Sequence, residues 1–118
     1  MAQGLAGRQM IEITSVQNEK IKETVKLQQK KYRNEKGLFL IEGHKPIFEA
    51  FVDKAEICTV FTTQKYLEKF EFVQDKIILV TDAVMEKIST TDSAPEAVAI
   101  AKQVNITLES IKQKTRIA

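Results

Sequence analysis

The residues best suited to chemistry lie between Glu42 and Pro46, in the order Glu-Gly-His-Lys-Pro. They follow a short apolar run, Leu38 to Ile41, that is typical of a β-strand, and Pro46 suits the first turn of a helix. A strand that ends at a glycine and opens onto a helix presents free backbone N–H groups, which bind anions. With His44 and Lys45 beside it, the junction indicates a phosphate site, and RNA phosphate is a natural candidate. The alternative is that both side chains are solvated loop residues.

A second group of candidate residues is cationic and precedes this junction. The sequence from Gln17 to Glu35 has a helical pattern, with Ser15 or Asn18 as the N-cap and Gly37 as the C-terminal breaker. If each residue advances the helix by about 100°, four cations share one flank about 80° wide, beside an apolar stripe. The cations are Lys22, Lys26, Lys30 and Arg33, and the stripe is Ile21, Val25 and Tyr32. This arc predicts contact with RNA phosphates; a solvated helix flank is the alternative.

The sequence offers few residues for catalysis. It contains no G-x-G-x-x-G, no P-loop and no G-x-S-x-G. Its one histidine is His44, so any nucleophile-histidine site would have to use that residue. Its one cysteine, Cys58, falls in an apolar run, which predicts inert packing. A single cysteine also excludes a disulfide framework and a Cys/His metal site, so we expect no metal and a reducing, cytoplasmic location.

Length and composition predict one globular domain. The chain has 118 residues, 29% charged and 43% hydrophobic, and its net charge of +2 argues only weakly for nucleic acid. No apolar stretch approaches the ~20 residues that span a bilayer, so we expect no membrane partner. Residues 1–9 are small and Gly-containing, and we interpret them as an added leader or a disordered tail. The domain itself is expected over residues 10–102, with residues 103–118 beginning a linker.

Short apolar strands alternate with helices along the chain. The predicted strands are Leu38–Ile41, Ile57–Thr62, Lys76–Val80 and Ala97–Ala101, and helices are predicted after Pro46, after Thr62 or Thr63, and after an Asp82 cap. Strands that are apolar on both faces need helices on both sides, which favours parallel pairing. The sequence therefore predicts an α/β fold, a three-layer α/β/α sandwich around a mainly parallel sheet.

These segments together resemble the substrate-binding domain of the SpoU (TrmH-type) RNA 2′-O-ribose methyltransferases. The most specific part is the Phe39-Leu-Ile-Glu-Gly43 core with the Lys/Arg pattern upstream of it. Further matching segments are Ile13-Thr14-Ser15 with Asn18, Ile21-Lys22, Lys26-Leu27 with Lys31 and Arg33, Glu49-Ala50, Val60-Phe61-Thr62, Val80-Thr81-Asp82 with Val84-Met85, and Ile88-Ser89. The resemblance runs from about Ile13 to Ala101.

The resemblance implies a fold like that of the kink-turn-binding ribosomal proteins and a role in recruiting ribosomal or transfer RNA. In the family, this module precedes a knotted domain that binds S-adenosylmethionine, methylates a ribose 2′-hydroxyl and could form a homodimer. The motif carries RNA-facing positions over to Lys30, Arg33, Glu42, Gly43, His44 and Lys45, and the cation arc adds Lys22 and Lys26.

Two departures from the family pattern shape what we expect of this chain. The family usually has Pro-Gln-Gly before the last strand, where this chain has Pro95-Glu96-Ala97. The chain also stops at Ala118, so we expect no bound S-adenosylmethionine and no methyl transfer by this polypeptide alone. The alternative function is a protein-interaction or dimerisation domain whose basic flank meets an acidic partner. Salt-sensitive RNA binding favours the first reading, and dimerisation without RNA affinity favours the second.

Overall fold

The computed structural model describes residues 11–103, which form a five-stranded sheet with helices on both of its faces. The strands are β1 (Ile11–Ile13), β2 (Leu38–Glu42), β3 (Ile57–Thr62), β4 (Ile77–Val80) and β5 (Ala97–Lys102). The α-helices are α1 (Glu19–Lys26), α2 (Lys30–Lys36), α3 (His44–Val52) and α4 (Asp82–Ile88), and a 3₁₀ segment covers Gln64–Lys76. None of the described helices is long and apolar enough to cross a membrane.

The sheet has the strand order β1-β4-β3-β5-β2. β4 pairs in parallel with β1 and with β3, whereas β5 pairs antiparallel with β3 and with β2. Four strands therefore run in one direction and β5 alone is reversed. The predicted mainly parallel sheet is confirmed, and the reversal of β5 is an addition that its apolar sequence does not reveal.

Two hydrophobic cores lie on opposite faces of the sheet, which confirms the three layers. Along β5 the side chains alternate, with Val98 and Ile100 in one core and Ala97 and Ala99 in the other. The first core is closed by α1 and α4, with Ile21, Leu27, Val84, Met85 and Ile88 fully or almost fully buried. The second is closed by α3 and the 3₁₀ segment, through Ile47, Phe70 and Val73.

The single helix predicted from Gln17 to Glu35 is wrong, because α1 ends at Lys26 and α2 begins at Lys30. Gln29 between them has extended backbone angles, φ −95° and ψ 130°. Leu27 is buried in the core at this turn. The helical angles that related Lys22 and Lys26 to Lys30 and Arg33 therefore do not hold across the break.

Several predicted element boundaries also differ from the structure. β1 was not expected, because three residues are too few to show a pattern. Asn18 caps α1 as predicted, with its side chain accepting from the Lys20 N–H at 2.8 Å. The cap of α4 is Thr81 rather than Asp82, and its hydroxyl accepts from the Val84 N–H at 3.2 Å. Pro46 is the third residue of α3, because the helix already begins at His44.

Cys58 is exposed, so the prediction that its thiol packs inertly in the core is wrong. The register of β3 against β5 shifts between Ile57 and Thr59, which leaves Cys58 without a partner in the β5 register. Cys58 lines a cleft with residues of α1 and α2. An apolar run of letters cannot show that the helical layer is incomplete above one strand position.

Candidate nucleic-acid interface

Gly43 makes the turn from β2 into α3. Its backbone adopts φ 100° and ψ 154°, a conformation that favours glycine. Its N–H donates to the Ala97 carbonyl at 2.9 Å, and its carbonyl accepts from the Ile47 N–H at 3.2 Å. The strand-to-helix junction expected from the sequence is therefore present, and Lys45 is exposed on it.

Glu42 anchors the loop that follows α4. Its carboxylate accepts from the Ser89 hydroxyl at 3.0 Å and from the Thr90 N–H at 3.2 and 3.1 Å, and also from the Thr90 hydroxyl. The family resemblance predicted that Glu42 faces RNA. In this structure its oxygens are engaged by the protein's own donors, so its visible role is to hold this loop against the end of β2.

The N-terminus of α3 faces the carboxylate of Glu96. A hydrogen bond from Lys69 holds the pKa of Glu96 below its usual range against the opposing effect of burial, and the charge of Lys69 and the His44 backbone N–H lower it further. A carboxylate of the protein itself thus lies close to the position where the sequence predicts a bound phosphate. Glu96 is also one of the two residues, with Ala97, at which the chain departs from the family's Pro-Gln-Gly.

The His44 side chain is half-buried among aromatic rings rather than free in a loop. Its ring stacks on Phe48 with 6.2 Å between centroids and an interplanar angle of 11°, and meets the edge of Phe70 at 5.2 Å. Phe72 completes the group at 5.9 Å. Packing therefore fixes the imidazole ring. What His44 contributes at the N-terminus of α3 is its backbone N–H.

Arg33 caps the end of α1. Its Nη1 donates to the carbonyl oxygens of Leu27 and Gln28 at 3.1 and 3.0 Å, and the residue is half-buried. These carbonyls have no partners further along the helix because α1 stops there. Arg33 is therefore held in place by the turn, while Lys22, Lys26 and Lys30 are exposed.

A chain of hydrogen bonds connects this turn to the β2–α3 junction. The Gln28 side-chain amide donates to the carbonyls of Lys87 and Ser89 at 3.1 and 3.3 Å. Ser89 in turn donates to Glu42. The turn between α1 and α2 and the end of β2 therefore meet the same loop. These contacts connect the parts of the chain on which the two groups of candidate residues lie.

Tyr32 and Lys36 belong to the basic surface but were not among the predicted site residues. The ammonium groups of Lys26 and Lys36 lie 5.6 and 5.5 Å from the centroid of the Tyr32 ring. The Tyr32 hydroxyl donates to Glu23, and this bond lowers the pKa of the Glu23 carboxyl. The sequence predicted Tyr32 as part of an apolar stripe, and the residue is indeed partly buried against the first core, although the helix is not continuous. The feature of the sequence that could have extended the predicted surface is Lys36, a further cation directly before Gly37.

A comparison with protein-family models gives the family of the chain. The family model described as the MRM3-like substrate binding domain matches residues 18–99. A search of curated proteins finds no match.

Solved structures agree with the family match. The chain is 28% identical to a crystal structure of an RNA 2′-O ribose methyltransferase, with a TM-score of 0.71 over 83% of this chain and 40% of that one. It is 25% identical to an rRNA methyltransferase from Sinorhizobium meliloti, with a TM-score of 0.70 over 84% and 39%. The SpoU methyltransferase AviRb from Streptomyces viridochromogenes, 19% identical, shares the fold with a TM-score of 0.68 over 79% and 38%. This chain thus spans about 40% of the length of these relatives, and it belongs to the family of MRM3-like substrate-binding domains of SpoU-type RNA methyltransferases.

Proposed function

We propose that this domain binds structured RNA, ribosomal or transfer, and positions it for 2′-O-ribose methylation by a catalytic domain outside residues 11–103. The observation that carries this proposal is the match of residues 18–99 to a substrate-binding domain whose solved relatives are RNA methyltransferases. RNA helices are recognised mainly through shape, phosphates and 2′-hydroxyls, which suits a surface of exposed lysines.

The exposed lysines of α1 and α2 are the first phosphate contacts in this proposal. Lys22, Lys26 and Lys30 reach solvent, and only Lys26 is within ion-pair distance of a carboxylate among the described residues, at 3.9 Å from Glu23. A pair this exposed contributes little to stability, so Lys26 can exchange Glu23 for a phosphate at small cost. Arg33 contributes mainly by holding the turn that presents Lys30.

Lys45 and the N-terminus of α3 form the second part of the proposed surface. A phosphate there would take over the His44 N–H from Glu96, which stays paired with Lys69. Replacing Glu96 by glutamine would restore the family's residue at this position and remove the competing charge. At the junction, a phosphate could therefore bind only after Glu96 moves. The lysines of α1 and α2 could bind phosphate without such a rearrangement.

We place the S-adenosylmethionine site of the parent enzyme outside residues 11–103. The described residues do not fit this cofactor well, because the His44 N–H at the start of α3 is close to Glu96, a carboxylate that would repel the cofactor's own carboxylate. No group of three or more His, Cys, Asp and Glu side chains within residues 11–103 could hold a metal ion. We therefore derive no step of methyl transfer from this domain.

Charge reversal on the α1–α2 surface tests RNA binding. Fluorescence anisotropy would follow a labelled RNA hairpin with an asymmetric internal loop, titrated with the 118-residue chain at several KCl concentrations. For Lys26→Glu with Lys30→Glu, we expect weaker binding and a slope of log affinity against log salt that is shallower by about 1.4 to 1.8, since each lost phosphate contact removes about 0.7 to 0.9.

Lys54→Glu with Lys76→Glu is the matched control. It makes the same charge change at two residues that line a different cleft, beside the start of β3 and the end of the 3₁₀ segment. Equal losses in both double variants would indicate a general effect of net charge and would contradict the proposed surface. Unchanged binding in the α1–α2 variant would do so as well.

A dimerisation function is the second candidate, and an exposed apolar patch favours it. Phe48, Phe51 and Val52 on α3 are 43%, 43% and 57% exposed, and Phe51 and Val52 border a cleft of about 620 Å³. A second copy of the chain could cover this patch. Sedimentation velocity distinguishes the two functions: a concentration-dependent dimer that has no RNA affinity would replace the first proposal with this one.

A further inference from the structure

A cleft of about 260 Å³ opens between α1, α2 and the sheet, at the end where β2 begins and β5 finishes. We call it the tyrosine cleft, and the lining residues that matter here are Lys20, Tyr32, Lys36, Leu38, Cys58 and Thr59. α2 runs from the Glu42 edge, where Lys30 lies, to this opposite edge, where Lys36 precedes Gly37 and β2. The cleft is thus separate from the β2–α3 junction, and none of the eight residues predicted from the sequence lines it, although Lys26 lies over the Tyr32 ring.

The lining of the tyrosine cleft combines an apolar wall with cationic groups. Leu38 and the buried Leu27 and Ile100 provide the wall. Lys20 and Lys36 line the cleft, and Lys26 lies over the Tyr32 ring, so three ammonium groups surround a space with Glu23 as its one lining carboxylate. Such a lining suits a flat, partly apolar group attached to an anion.

The size of the cleft restricts what can enter it. Pockets for drug-sized molecules have volumes of about 300–1,000 Å³, so this cleft suits a smaller group such as one nucleobase. A base within a paired helix is not available, because its faces are stacked and its edge is paired. Proteins that recognise RNA bases commonly take unstacked bases from bulges and loops onto aromatic side chains.

We propose that the tyrosine cleft binds a single unpaired base of the RNA, packed beside the Tyr32 ring, with Lys20 and Lys36 contacting the flanking phosphates. The base displaces one of the two ammonium groups now over the ring, and that group remains close enough to meet a phosphate. This inference rests on the proposed RNA-binding function. It adds that the domain distinguishes an RNA with an unpaired nucleotide from a fully paired one.

The only cysteine of the chain provides a direct reporter, because Cys58 is exposed and lines the cleft. The experiment compares a hairpin that carries a one-nucleotide bulge with the same hairpin fully paired. Anisotropy measures affinity, and mass spectrometry follows alkylation of Cys58 by N-ethylmaleimide with each RNA at saturation. Because stacking of one base on an aromatic side chain changes affinity by about fivefold to a hundredfold, we expect the bulged hairpin to bind more tightly within that range. We also expect it to slow alkylation of Cys58 more than the paired hairpin does.

Three variants separate the ring from the rest of the surface. Tyr32→Leu removes the ring, Tyr32→Phe keeps the ring and loses the bond to Glu23, and Lys36→Gln removes one exposed ammonium. The preference for the bulged hairpin should disappear in Tyr32→Leu, persist in Tyr32→Phe and weaken in Lys36→Gln. If Tyr32→Leu does not fold by circular dichroism, Lys36→Gln still provides the test, because that residue is exposed.

The outcomes distinguish this inference from the proposed function. If both hairpins bind equally, with Cys58 alkylated at the same rate in each complex, the tyrosine cleft is not a base site and the RNA-binding function still stands. A preference for the bulge that survives both Tyr32→Leu and Lys36→Gln also overturns the cleft. If neither hairpin binds at low salt, both proposals fail.

Discussion

At the scale of single residues, Gly43 and Gly37 both have positive φ but are constrained differently. Gly43 has φ 100° and ψ 154°, outside the left-handed helical region, while Gly37 has φ 70° and ψ 30° within it. A Cβ at Gly43 would be 3.5 Å from the Pro46 Cδ, an ordinary contact, so backbone strain rather than crowding excludes other residues. Asparagine tolerates the left-handed helical region far better than the region that Gly43 occupies.

We therefore predict that Gly43→Ala lowers the free energy of unfolding by about 1–3 kcal/mol, the usual cost of such a conformation. Urea denaturation followed by circular dichroism measures this difference. Gly37→Asn is the comparison, and there we expect a loss below about 1 kcal/mol because the backbone can stay where it is. Equal losses at the two positions would show that φ 100° is not the constraint on the β2–α3 junction.

The sequence was sufficient to locate Gly43, His44 and Lys45 at a strand-to-helix junction, because a glycine between a strand pattern and a helix pattern is a local signal. It could not show the partners of Glu42 and Glu96. Glu42 bonds to Thr90, 48 positions away, and Glu96 pairs with Lys69, 27 positions away. Such contacts depend on the packed fold, so a site that looks open to anions in the sequence can be occupied by the protein's own carboxylate.

At the scale of elements, the turn between α1 and α2 depends on Arg33. For Arg33→Met we predict a loss of about 1–2 kcal/mol in the free energy of unfolding, because the Leu27 and Gln28 carbonyls lose a charged donor at a partly buried site. Urea denaturation checks this value. Lys31→Met is the control on the same helix, exposed and expected to stay within about 0.5 kcal/mol.

Arg33→Lys tests whether the charge of Arg33 or its hydrogen bonds matter. A lysine keeps the charge but cannot reproduce the planar donor geometry of the guanidinium. We expect Arg33→Lys to lower the free energy of unfolding nearly as much as Arg33→Met does. The salt dependence of RNA binding should stay nearly unchanged. A shallower salt slope in Arg33→Met but not in Arg33→Lys would assign a phosphate contact to Arg33 itself.

Hydrophobic periodicity did not predict the break between α1 and α2. Residues 17–35 contain no glycine or proline, so no local breaker is present. Helix α1 ends at Lys26 because Leu27 is buried in the core and because the side chains of Gln28 and Arg33 supply hydrogen bonds that end the helix. The Gln28 bonds go to the carbonyls of Lys87 and Ser89, which a helical wheel does not include.

At the scale of the whole molecule, the pairing of Glu96 couples folding to pH. Its pKa in the folded chain lies below the ordinary value of 4.5, chiefly because of the hydrogen bond from Lys69. The carboxylate therefore stabilises the fold above about pH 4.5, and this contribution is lost as the pH falls from there through the lower folded pKa. Glu23, whose pKa is lowered by Tyr32, acts in the same direction.

We predict that Glu96→Gln reduces the loss of stability between pH 6 and pH 3. The measurement is the urea midpoint at several pH values across this range, for the wild-type chain and the variant. Glu68→Gln, at an exposed position of the 3₁₀ segment, is the control and should follow the wild type. Identical pH profiles for Glu96→Gln and the wild type would contradict the role of the Lys69 pair.

The layered architecture could be predicted from the sequence because it follows from strands that are apolar on both faces. β3 was predicted at its observed bounds, and β5 to within one residue. The direction of β5 could not be predicted, because an apolar run such as Ala97–Ala101 fits a parallel or an antiparallel neighbour equally well. Exposure at Cys58 was missed for a related reason, since it depends on where the helical layer ends.

The reversed β5 determines at which end of the sheet the described part of the chain finishes. β5 starts beside Gly43, where Ala97 accepts a hydrogen bond, and ends at Lys102 beside Glu56, at the far side of the sheet. A strand of six residues is about 20 Å long. Gln103 therefore lies about one strand-length, some 20 Å, from the β2–α3 junction, and the residues after it are attached at the end of the sheet opposite that junction.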